Sequence, residues 1–256
     1  MSMDGAVAGL LAALLGLVFG SFATAASYRL PRLMPLVSAR SICPACGKTL
    51  GGWDLIPLLS WLRGGGCCRH CGQPVSWRYP AIEAATAALF VLIWWRVGSD
   101  LRQMVLLWLT ATGLMVVTVA DFEAGIIPDK ALLALAPVAL ALRWLTGQDM
   151  AEAVATALAA LALAFALRTG FRRLRGYDGL GMGDVKFLGV AGLYLGSLRM
   201  AGFVILAGVL GVVLGLGWRL SGRGAVFPFG PALTLSLLFG VLFPEGLDAI
   251  IGLLPS

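Results

Sequence analysis

Apolar residues in this chain do not alternate with polar ones. They gather into eight runs, at 6–27, 80–95, 104–120, 131–142, 153–167, 187–198, 200–218 and 225–244, each closed by charges or by Pro and Gly. Runs of this kind predict helices, and their near-absence of charge predicts helices that cross a membrane. Several runs are shorter than the ~20 residues a lone spanning helix needs, so the pattern predicts a packed bundle whose flanking side chains reach the interfaces. The expected fold is therefore an all-α polytopic membrane protein with about eight transmembrane helices. Composition agrees: 59% of the 256 residues are hydrophobic and 12% charged, with a mean hydropathy of +0.91, against roughly 25% charged in soluble domains.

Charge then sets an orientation. With the N-terminus outside, fifteen of the 19 Lys and Arg fall in cytoplasmic loops, among them Lys130, Arg168, Lys186, Arg219 and Arg223, while Arg96, Arg102, Arg143 and Arg199 fall outside. Positive residues collect on the cytoplasmic side, so the net charge of +6 reads as a topology signal and not as a nucleic-acid surface. The first run lacks a basic n-region and reads as a retained span, not a cleaved signal peptide.

Between the first two runs lies the one long polar stretch, 32–79, too small to bury much of a core of its own. It carries Cys43-Pro44-Ala45-Cys46 and Cys68-Arg69-His70-Cys71, two C-x-x-C knuckles with the spacing of a four-thiolate zinc site. On the cytoplasmic side disulfides are disfavoured, so a structural zinc held by Cys43, Cys46, Cys68 and Cys71 is expected, with Cys67 left over and His70 a bystander. The expected organisation is a first transmembrane helix at 1–31, a cytoplasmic zinc-knuckle loop at 32–79, and a membrane domain of seven helices at 80–256.

Acids at the ends of apolar runs carry the candidate chemistry. Asp121 ends the third run and Asp184 opens the sixth, within Gly179-Leu180-Gly181-Met182-Gly183-Asp184. Carboxylates at membrane edges are unfavourable there and mark function by default. Two carboxyls sharing a site divide into one ionised and one protonated group, the pair that peptide hydrolysis needs as base and acid. Gly181 and Gly183 are expected to let the backbone bend beside Asp184 and a substrate strand approach. The competing reading of Asp184 is a helix cap. Asp129 is expected to cap the fourth helix. Glu83 either complements the second span's dipole or points into the bundle. Asp121, Glu123 and Asp129, with Asp178, form an acidic stretch suited to the basic residues of a peptide, Glu123 above all.

Phe19-Gly20-Ser21-Phe22 with Tyr28-Arg29-Leu30-Pro31, the paired knuckles, Asp54-Leu55-Ile56-Pro57, Arg78-Tyr79-Pro80 with Glu83, Asp121 followed by Pro128-Asp129, Gly181-Met182-Gly183-Asp184 and Pro228-Phe229-Gly230-Pro231 together resemble the bacterial prepilin peptidases, or type IV leader peptidases. The resemblance runs in order over nearly the whole chain. It implies an eight-span aspartic protease of the bacterial inner membrane that removes the short basic leader of type IV prepilins or type II secretion pseudopilins at the cytoplasmic face. It places Asp121 and Asp184 on the catalytic pair and Cys43, Cys46, Cys68 and Cys71 on the metal site. It also implies N-methylation of the new amino terminus with S-adenosylmethionine. The chain departs from the family pattern at Thr24, where Asn is common, and at Cys67, where a basic residue is common, both in the half linked to methylation. The reading from another class is a non-enzymatic transporter or assembly factor whose aspartates relay protons.

Overall fold

The computed structural model describes residues 3–36, 40–222 and 227–252; Arg223 and the opening residues of the eighth apolar run lie outside them. The described residues form helices α1 (Met3–Arg29), α2 (Leu59–Arg63), α3 (Arg78–Val97), α4 (Leu101–Ala124), α5 (Asp129–Leu145), α6 (Met150–Arg175), α7 (Met182–Leu220), α8 (Gly230–Leu242) and α9 (Pro244–Gly252), with a 3-10 turn at Gly52–Leu55. Pairing of extended backbone among them is limited to two isolated bridges, Ile42 with Thr49 and Cys67 with Pro74. The all-helical expectation holds. Five helices, α1, α3, α4, α6 and α7, are long and apolar enough to cross a membrane, and up to six spans result if α8 and α9, bent by 103°, act as one. The expected eight runs differ from this number because α5 has 17 residues and because α7 contains two runs in its 39 residues.

The chain divides into two compact units, Met1–Val116 and Val117–Ser256. In the first, α1 packs along α3 through Gly16 and Gly20, one helical turn apart. A Cβ at Gly16 would stand 2.5 Å from Ala87 Cα, and one at Gly20 2.7 Å from Glu83 Cα, so only glycine admits this close approach of two backbones. Phe90 lies fully buried and stacks on Trp108, rings 4.9 Å apart. Glu83 is itself buried, and its Oε2 accepts the Leu58 N–H at 2.8 Å. Of the two expectations for Glu83, the inward-pointing one describes it.

In the second unit α7 is central, packing on α5, α6, α8 and α9. A straight helix of its length would reach about 58 Å, well beyond the ~30 Å hydrocarbon core. It breaks instead at Gly196, whose φ of 68° and ψ of 179° are non-helical. Gly189 and Gly192 seat α6: a Cβ at Gly192 would come within 2.8 Å of Ala157 Cα. The break is buttressed from two other helices. Arg143, in the last turn of α5, is 3% exposed and donates to Glu152 Oε2 at 2.7 Å, while Glu152 Oε1 accepts the Ser197 N–H and hydroxyl at 2.9 and 2.7 Å. Arg143, read from the sequence as a loop cation, is thus a buried structural group. Asp149 caps α6 by accepting the Ala151 N–H at 2.8 Å, and Gly176 ends it in the left-handed conformation.

Candidate active site and metal centre

Asp121 lies in the last turn of α4. Gly125, at φ 62°, donates its N–H to the Asp121 carbonyl at 2.8 Å and ends the helix. The chain then turns through Ile126, Ile127 and Pro128 into α5. Asp184 lies in the first turn of α7, three residues after the capping position taken by Gly181. A cleft of about 310 Å³ opens here, and both aspartates line it together with Gly125, Ile127, Gly183 and Lys186. Two carboxyls separated by more than sixty residues of chain therefore face one space inside the second unit.

Each carboxyl is held by a backbone amide at a helix start, where unpaired N–H groups favour negative charge. Gly230, the first residue of α8, donates to Asp121 Oδ2 at 2.6 Å. Gly181 donates to Asp184 Oδ2 at 3.1 Å. The two acids differ in access: Asp121 is 6% exposed, whereas Asp184 is half-buried.

Several expectations change at this site. Asp184 does occupy the first turn of its helix, but the cap itself is Gly181 and the carboxyl reaches back to that residue's amide. Gly181 and Gly183 do not take left-handed conformations: Gly181 is ordinary extended backbone at φ −64° and ψ 147°. Gly183 is needed for closeness, because a Cβ there would stand 2.9 Å from Ile127 Cβ, so its missing side chain seats α7 against the turn that follows Asp121. Asp129 is not a cap; Pro128 precedes α5 at that position, and the Asp129 carboxylate takes a two-pronged contact from Lys186 Nζ at 2.7 and 2.8 Å. Asp178 is ion-paired with Arg168 and lies 3.9 Å from Arg172. The acidic stretch is thus partly neutralised from within the unit, with Glu123 exposed beside it. The Gly230 amide had no assigned role in the sequence, since nothing local to Pro228-Phe229-Gly230-Pro231 says which carboxyl it meets.

The second cluster lies in the first unit. The sulfurs of Cys43, Cys46, Cys68 and Cys71 all fall within 4.8 Å of one another, with Cys43 and Cys71 4.0 Å apart. A tetrahedral site with metal–sulfur bonds of about 2.3 Å places its sulfurs about 3.8 Å apart, so the four thiols fit one ion. The two knuckles are built alike. Gly47 and Gly72 follow their second cysteines at φ 69° and 70° and donate back to the Cys43 and Cys68 carbonyls, while the Cys43 and Cys68 amides donate to Lys48 and Gln73. The Cys46 and Ala45 amides aimed at Cys43 bring its thiol down to about 7. At Cys71 the Gln73 amide acts in the same direction, but desolvation and the thiols of Cys68, Cys46 and Cys43 outweigh it and push the group up to about 11. Metal binding to such a group requires thiolates and so releases the thiol protons. Cys67 and His70 are exposed and outside the group.

Comparison with known proteins bears on both sites. A family model described as "Bacterial Peptidase A24 N-terminal domain" matches residues 14–97, which include the four cysteines. One described as "Type IV leader peptidase family" matches residues 108–216, which include both aspartates. Curated relatives named "Prepilin leader peptidase/N-methyltransferase" align over most of the chain. The one from Burkholderia pseudomallei is 32% identical, covering 91% of this chain and 85% of its own. That from Bacillus subtilis is 32% identical, covering 91% and 93%, and that from Pseudomonas aeruginosa 30%, covering 91% and 89%. No solved structure matches the chain significantly.

Proposed function

Because the chain belongs to the type IV leader peptidase family, we propose that it is a membrane aspartic endopeptidase acting on prepilins or pseudopilins, with Asp121 and Asp184 as its catalytic pair. The observation that carries the assignment is that these two carboxyls, at the ends of different helices, line one cleft. The ionised carboxylate takes a proton from a water molecule as its oxygen attacks the scissile carbonyl carbon. The protonated partner gives its proton to the carbonyl oxygen. Collapse of the tetrahedral intermediate returns one hydroxyl proton to the carboxyl that had given it and breaks the C–N bond, and the proton taken from water passes to the leaving amine. The Gly230 and Gly181 amides orient the two carboxyls. Hydrolysis releases the leader and leaves a free amino terminus on the pilin.

The relatives' names include N-methyltransferase, and the terminus freed by cleavage is the acceptor proposed for this second activity. S-adenosylmethionine would supply the methyl group to the amine. Cys43, Cys46, Cys68 and Cys71 would hold one zinc ion with every position filled by protein, which suits a structural site that folds the 32–79 loop. The excess of Lys and Arg in one set of loops supports a multi-pass orientation in the bacterial inner membrane with the N-terminus periplasmic and the aspartates facing the cytoplasm.

Mass spectrometry of a prepilin incubated with membranes holding the protein and methyl donor tests the assignment. Asp121→Asn and Asp184→Asn should each lower cleavage by at least the ~10²–10⁴-fold attributed to a general acid or base, with the protein still present and folded. Near-normal cleavage by either variant rejects the pair, and so does a loss of transport with cleavage unchanged.

A further inference from the structure

The loop that carries the four cysteines has an apolar edge that its own packing leaves uncovered. Trp61, in α2, turns inward: its indole N–H donates to the Val75 carbonyl at 3.0 Å and its ring covers Gly66. Leu59 and Leu62, a helical turn apart on the same short helix, are 62% and 64% exposed, and Trp53 and Leu55 on the preceding 3-10 turn are 71% and 45% exposed. Four large apolar side chains within ten residues are thus uncovered, and a cluster of exposed apolar groups marks a surface that meets a partner or a membrane.

The level of that edge along the first unit identifies the partner. The Leu58 amide, between Leu55 and Leu59, donates to Glu83 Oε2 at 2.8 Å. Glu83 lies five residues inside α3, which starts at Arg78, roughly 7–8 Å along the helix axis. The loop therefore does not stand off the end of α3; at Leu58 it is drawn down beside the spanning helix. There it is fixed: Leu58 takes a positive φ of 58°, unusual for a residue other than glycine. An apolar edge at this level meets the ~5–10 Å boundary of headgroups and acyl chains where interfacial segments bury their apolar faces. Charge agrees. Residues 32–79 carry six Lys and Arg against a single acid, Asp54, and Asp54 is already paired with Arg69 at 2.8 Å. A basic loop with Trp and Leu at its membrane edge suits an anionic lipid surface.

We propose that Trp53, Leu55, Leu59 and Leu62 insert into the headgroup region of an anionic bilayer, so that the cysteine loop lies on the membrane as an interfacial anchor. The inference is independent of the proteolytic assignment.

The test uses the full chain, zinc-loaded, in nanodiscs made from phosphatidylcholine and phosphatidylglycerol with or without bromine on the upper acyl chain. Subtracting the emission of Trp53→Phe from that of the wild type isolates Trp53. Equal zinc content in the two proteins shows that the loop is intact. The expected result is that bromolipid removes most of the Trp53 emission while aqueous iodide removes little. Leu59→Ser with Leu62→Ser should reverse the order, making Trp53 accessible to iodide. Emission that ignores bromine and is fully quenched by iodide overturns the proposal. Shielding of Trp53 only after addition of a prepilin peptide also overturns it, since the edge would then be a peptide-binding surface.

Discussion

Gly230→Ala is the substitution through which the geometry around Asp121 is most sharply tested. Gly230 begins α8 and its φ is not in the left-handed region, so alanine meets no backbone strain there. The difficulty is space. A Cβ at this position would lie 2.6 Å from Asp121 Oδ2 and 2.8 Å from both Asp121 Cβ and Cγ. Carbon atoms settle at about 3.5–4.0 Å, so the α4 end and the α8 start must part by about 0.7 Å or the carboxyl must turn away. Turning gives up the 2.6 Å hydrogen bond from the Gly230 amide and leaves a buried carboxyl without that donor. Overpacking of this kind destabilises by about 1–3 kcal/mol. Because ~1 Å of misplacement at a reacting group lowers rate about 10²-fold, cleavage of a prepilin should fall by roughly 10–100-fold with KM little changed. Gly208→Ala, at an α7 position whose Cβ would meet nothing within 4 Å, is the matched control and should keep full activity. The assay is the initial rate of leader removal in detergent, with thermal unfolding measured alongside. A Gly230→Ala protein with wild-type rate and midpoint would refute the claim that this amide positions Asp121.

Zinc measured on purified variants should be about one ion per chain in Cys67→Ser and absent in Cys46→Ser, because only the latter is in the sulfur cluster; equal zinc in both rejects the ligand set. Glu152→Ala removes the carboxylate partner of a buried arginine together with the acceptor for Ser197, and should destabilise by about 1–3 kcal/mol, the usual cost of a buried donor left unsatisfied; Glu152→Gln, which keeps a carbonyl acceptor, should lose less, and a wild-type unfolding midpoint for Glu152→Gln would show that the charge is immaterial. Glu123→Gln should raise KM for a leader with its basic residues and leave a leader with those residues neutralised unchanged, by no more than the ~0–1 kcal/mol of a surface pair; the same shift for both leaders removes Glu123 from leader recognition.

Much of this protein could be read from neighbouring residues alone. The apolar runs became helices because a span must satisfy its own backbone hydrogen bonds, a property of contiguous chain. The knuckles were legible because a C-x-x-C turn closed by Gly47 or Gly72 is made from local backbone bonds, and their pairing followed because four thiols at this spacing suit one metal. The placement of Asp121 and Asp184 at helix ends came from the edges of the runs. What the sequence left undecided is how distant elements meet. The Gly230 amide reaches Asp121 across 109 residues, Lys186 takes Asp129 from the capping role across 57, and Glu83 fixes Leu58 across 25. Arg143 looked like a loop charge until it was found paired with Glu152, and Gly183 looked like a place for the backbone to bend until Ile127 was found against it. Each depends on the packing of helix against helix, where a hydrogen bond or a missing Cβ is specified by shape and distance. Propensity and pattern act within a few residues of chain, so they set which groups stand at the helix ends; only the tertiary fold sets which of those ends share a cleft.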